Sequence, residues 1–225
     1  MPDHRHPGDM HRPMTTPRAA AIAGILFALL FAVSLVLVRL AIPADLSSDA
    51  SWVESGTRQV TLAASLMPLA GIAFLWFVGV IRDRIGELED RFVSTVFLGS
   101  SLLFLAMVFT SMAIAGGLVT SSTNYSEKPL AEDVIVFGRA VMLQISNVYA
   151  LRMAGVCMIS LATIWLRTRL MPPWLAGSTY LLALLLLLVI NLSLWVTLIF
   201  PAWVFFISVL ILIMNFRQTH AAVAR

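Results

Sequence analysis

The sequence predicts an all-α integral membrane protein: a polytopic bundle of six transmembrane helices with the N-terminus and C-terminus both cytoplasmic. Composition is the first ground. The 225 residues are 60% hydrophobic and 12% charged, against about 45–50% and about 25% in soluble domains. Uncharged runs are the second. Ala19–Val38 has 20 residues without a charge, Val60–Ile81 has 22, Phe92–Val119 has 28 and Met171–Phe216 has 46. A helix needs about 20 apolar residues to cross a hydrocarbon core of about 30 Å. The longest run therefore reads as two helices joined by a tight turn, and the segment around Arg152 completes the six. Basic residues are the third ground. Ten arginines (5, 12, 18, 82, 84, 91, 167, 169, 217 and 225) fall on one side, and Lys128, Arg39, Arg58 and Arg139 on the other. The positive-inside rule makes the first side cytoplasmic. An even number of spans also requires both ends on one side, so the two arguments agree.

Taken in order, residues 1–18 are a polar, proline-containing tail expected to be disordered. Its His4, His6 and His11 read as solvated rather than metal-binding. The apolar run that follows is longer than a usual signal-peptide core, so Ala19–Ile42 is expected to be a retained first span. Gly24, Ala28 and Ala32 recur every four residues along it and allow a neighbouring helix to approach closely. Arg39, in its last turn, is expected to snorkel to the interface. The second span is Gln59–Ile81, with Pro68 as a candidate kink. A charged turn, Arg82–Arg91, leads to the third span, Phe92–Val119, which ends at Gly116-Gly117. A short interfacial helix is expected ahead of the fourth span, Gly138–Leu166. Spans five and six are Trp174–Leu194 and Phe200–Phe216, followed by a tail over 217–225. Trp76, Trp165 and Trp174 are expected at the inner interface, and Trp52, Trp195 and Trp203 at the outer one.

The chemistry is marked first by what the spans lack. All twelve acidic residues lie in loops, tails or span boundaries. Membrane proton relays use Asp, Glu or His chains, so proton coupling is not expected. Acidic rings for cation selection are missing as well. No phosphate loop, zinc-protease motif or nucleophile elbow occurs. The chain reads as no enzyme, with no cofactor and no metal site. The lone Cys157 reads as a small buried residue. The pI near 9.6 comes from arginines dispersed at helix ends, so no nucleic-acid partner is expected.

Arg152 then stands near the middle of span four with no acid at its depth. Asn191 of span five falls at a similar depth, and Asn147, Gln144 and Tyr149 are the other polar candidates. In an α-helical register Gln144, Val148 and Arg152 share a face. Two readings stay open. Arg152 pins helices together through Asn191, carbonyls and water, or its charge receives an anionic or amphiphilic ligand.

The segment Asn147–Leu175, NVYALRMAGVCMISLATIWLRTRLMPPWL, together with Phe77–Phe92, FVGVIRDRIGELEDRF, resembles a set of uncharacterised polytopic membrane proteins of high-GC bacteria. The resemblance implies a location in the bacterial cytoplasmic (inner) membrane and assigns no activity or site residue. The expected function is non-enzymatic binding of a partner or an amphiphilic ligand within the bundle around Arg152. The alternative is a small transporter or channel subunit working as a homo-oligomer.

Overall fold

The computed structural model describes residues 16–43, 52–85, 91–124, 130–169, 171–188 and 194–223. Its elements are α1 (Thr16–Ala41), α2 (Trp52–Ser55), α3 (Thr57–Ile85), α4 (Arg91–Asn124) and α5 (Glu132–Gln144). A π-helical turn (Ile145–Ala150), α6 (Leu151–Thr168), α7 (Pro173–Leu188), a 3-10 turn (Leu194–Leu198) and α8 (Ile199–Val223) follow. No strand occurs among the described residues. Most of the expected N-terminal tail, the centre of the charged turn after α3 and Asn191 lie outside the described residues.

Among the described residues, five helical stretches are long and apolar enough to cross a membrane: Arg18–Ala41, Thr57–Asp83, Arg91–Ser122, Glu132–Thr168 and Trp195–Met214. The sixth apolar helix, Pro173–Leu188, is shorter, at 16 residues. It covers about 24 Å at 1.5 Å per residue, less than the expected span Trp174–Leu194. Outward faces carry large apolar side chains such as Ile22, Leu29, Leu69, Ile72, Leu181 and Leu188. So much exposed apolar surface fits a multi-pass membrane protein, since a soluble monomer rarely leaves it uncovered.

Several boundaries differ from expectation. α4 runs on through Gly116-Gly117 to Asn124; a glycine pair weakens a helix without stopping it. The expected interfacial helix before span four is instead its continuous start at Glu132. Glu132 and Asp133 occupy that first turn, where carboxylates favour the positive end of the helix dipole. α8 continues to Val223, through most of the expected tail. α6 stops at Arg169, whose φ of 52° is the left-handed turn that closes a helix; Pro172 follows.

Neighbouring helices run antiparallel. Phe27 of α1 meets Phe74 of α3, and both meet Phe200 of α8. A methyl group at Gly24 would run into Ser208 of α8 and the Phe77 ring of α3. The small-residue stripe of α1 thus seats that helix between α3 and α8. Ser101 Oγ of α4 lies 3.2 Å from Cys157 Sγ of α6, and Thr163 of α6 bonds Tyr180 of α7 at 2.7 Å. Trp203 Nε1 of α8 donates to Thr179 Oγ1 of α7 at 3.0 Å. In the bundle α1 packs on α3 and α8, α3 on α4, α4 on α5–α6 and α6 on α7, and the Trp203–Thr179 bond ties α8 to α7. Phe27, Phe31, Phe74, Phe77, Phe104 and Phe200 fill the centre of the bundle, with ring centroids 4.6–6.3 Å apart. Trp76, Trp174 and Trp195 are exposed, while Trp52, Trp165 and Trp203 are buried. Only half of the tryptophans therefore face outward as expected of an interfacial belt.

Candidate functional site: a cavity beside Arg39

The π-helical turn sets the geometry of the site. Its sequence, ISNVYA, combines β-branched residues with Ser and Asn. The former crowd a tight α turn, and the latter offer the backbone competing bonds. A π turn fits one extra residue into the helix and is frequent at functional sites. Just before it, the Met142 carbonyl accepts a bond from Ser111 Oγ of α4 at 3.0 Å. Within it, Asn147 turns toward α1, where its Oδ1 accepts Arg39 Nη2. Ser146 Oγ also reaches Asn147 Oδ1, at 3.3 Å.

Arg39 is half-buried, and its Nε–H is enclosed without a hydrogen-bond partner. No carboxylate accompanies it among the described residues; its one bond goes to the neutral amide of Asn147. The expected snorkelling arginine is thus held into the bundle. A cavity of about 40 Å³ opens beside it, and Ser111, Ser146 and Thr197 are its hydroxyl-bearing lining residues. That space holds about three water-sized groups. Phe31, Phe104 and Phe200 floor it, and Met67, Met112 and Met142 stand among its apolar walls. The arrangement offers an anion one guanidinium over an apolar base, since the Ser111 proton goes to the Met142 carbonyl, the Ser146 proton to Leu143 or Asn147, and Thr197 is already engaged. Arg139, on α5, is fully buried and is engaged elsewhere, although its Nε–H also lacks a hydrogen-bond partner among the described residues.

The five residues singled out from sequence separate. Asn147 is the Arg39 acceptor. Gln144 and Tyr149 are exposed and line an outer groove with Ala140, Val141 and Ile145. The π turn explains the grouping: residues five apart stack there, so Gln144 lines up with Tyr149 instead of Val148. Arg152 is half-buried and has no hydrogen-bond partner among the described residues. Asn191 lies outside the described residues, so the Arg152–Asn191 pairing has no geometry here. Cys157 is a buried free thiol, and no cluster of metal-ligating side chains occurs among the described residues.

Sequence reading passed over Arg39 as an interfacial charge. A signal was present. Phe27, Phe31 and Leu35 are buried at four-residue steps, and the next step along that stripe is Arg39. No protein-family model, curated protein or solved structure matches this chain.

Proposed function

We propose that this chain is a non-enzymatic membrane protein that binds an amphiphile with an anionic head, the head seated against Arg39. The carrying observation is the cavity itself: a guanidinium with an unused, enclosed Nε–H at the edge of a small space over an apolar floor. Arginine matches carboxylate geometry with paired donors, and the space admits a carboxylate head. The tail would lie along the apolar walls, where flexible methionines can repack. The binding focus moves from Arg152 to Arg39. The six-phenylalanine centre directly beneath the cavity supports binding over transport, because a conducting path needs polar or open lining.

The same reading places the protein in a bacterial cytoplasmic membrane with six spans and both termini cytoplasmic. Support comes from the ten-to-four distribution of basic residues and from α7 running back antiparallel along α6.

The test is a thermal unfolding series in a non-ionic detergent, with laurate or lauryl alcohol added at equal concentration. Laurate should raise the midpoint and the alcohol should not, because ligand binding to the folded state alone stabilises it. Equal shifts, or none, would leave the cavity as a water pocket and end the ligand reading.

A further inference from the structure

The second polar feature lies on the outside of span four, away from the Arg39 cavity. Gln144, Tyr149 and Arg152 occupy successive turns, and none has a hydrogen-bond partner among the described residues. Tyr149 is 51% exposed. The stripe continues downward as the half-buried Val156, Ile159 and Thr163, between fully buried neighbours, and Thr163 bonds Tyr180, so its lower part runs along the flank of α6 beside α7. Elsewhere, exposed hydroxyls such as Ser65, Thr95 and Thr110 donate to their own helix, and Tyr180 is bonded to Thr163. Hydrocarbon satisfies neither an amide, a phenol nor a guanidinium.

Depth and charge narrow the occupant. Along Glu132–Thr168, Arg152 lies about 30 Å from one end and about 24 Å from the other, at 1.5 Å per residue. It therefore sits near mid-membrane, whereas lipid phosphates begin about 15 Å from the centre of a hydrocarbon core about 30 Å thick. A second copy of this chain carries acidic residues only at the ends of its spans and would set arginine against arginine across a twofold axis. We infer that the Gln144–Tyr149–Arg152 edge docks a transmembrane helix of a different polypeptide bearing a carboxylate near mid-membrane. The carboxylate pairs with Arg152, and Gln144 and Tyr149 supply flanking neutral hydrogen bonds.

The probes are leucine-rich single-span peptides with Glu at the centre, Gln at the centre, or Glu moved near one end. Energy transfer to the labelled full-length protein in phosphatidylcholine vesicles reads their association. The centre-Glu peptide should bind about tenfold tighter than the other two. That preference should vanish in Arg152→Gln and weaken in Tyr149→Phe and Gln144→Ala. Equal binding of the centre-Glu and centre-Gln peptides to wild type overturns the proposal, whether or not Arg152→Gln folds. Arg152-dependent retention of phosphatidylglycerol would reassign the edge to a lipid headgroup. Loss of self-association in Arg152→Gln would reassign it to a second copy. Either result overturns the inference.

Discussion

Arg39 and Asn147 form a charged hydrogen bond between α1 and the π turn, 108 positions apart in sequence. Such a bond contributes more than a neutral one, and losing one partner leaves the other enclosed without its acceptor. Asn147→Leu should therefore lower stability by about 2–3 kcal/mol in denaturant or thermal unfolding. Replacing both, as Arg39→Met with Asn147→Leu, should recover most of that loss, since the desolvated charge goes too. A double variant as unstable as the single one would show that the pair is not coupled. Asn147 itself was legible in the sequence as a polar residue in an apolar span. Its partner was not, because hydropathy treats every terminal arginine as a snorkelling one. Only the buried stripe through Phe27, Phe31 and Leu35 distinguishes an arginine drawn inward.

At the scale of elements, long apolar runs named the major helices well, because a run of that length has few other solutions in lipid. What escaped was register. A π turn has no hydropathy signature, yet it groups Gln144 with Tyr149 and turns Asn147 inward. Boundaries also shifted where glycine pairs and acidic residues were taken as stops. α7 is the decisive element for topology: if it returns the chain across the membrane, both ends share a side. In a Cys157→Ala background, single cysteines at Thr16 and at Ala222 should react with an impermeant maleimide only after the cells are permeabilised. Labelling of one of them in intact cells would show an odd number of crossings.

Across the whole molecule, one division of labour emerges. The phenylalanine centre closes the bundle, with Phe27–Phe74 and Phe104–Phe200 centroids both 4.6 Å apart. Aliphatic faces point outward, and the two polar sites described above both lie on span four, one inward and one outward. Both depend on the same π turn. The sequence showed that these polar residues existed and that no carboxylate lay near the middle of a span. It could not show which arginine faced a cavity, since that follows from how six helices close on one another. The central claim, that Arg39 is the anion-binding focus, is tested most directly by the laurate affinity of the purified protein in nanodiscs, wild type against Arg39→Gln. The account predicts saturable binding that weakens by at least about tenfold, or 1.4 kcal/mol, in the variant, with the fold retained. Equal affinity in the two proteins would contradict it.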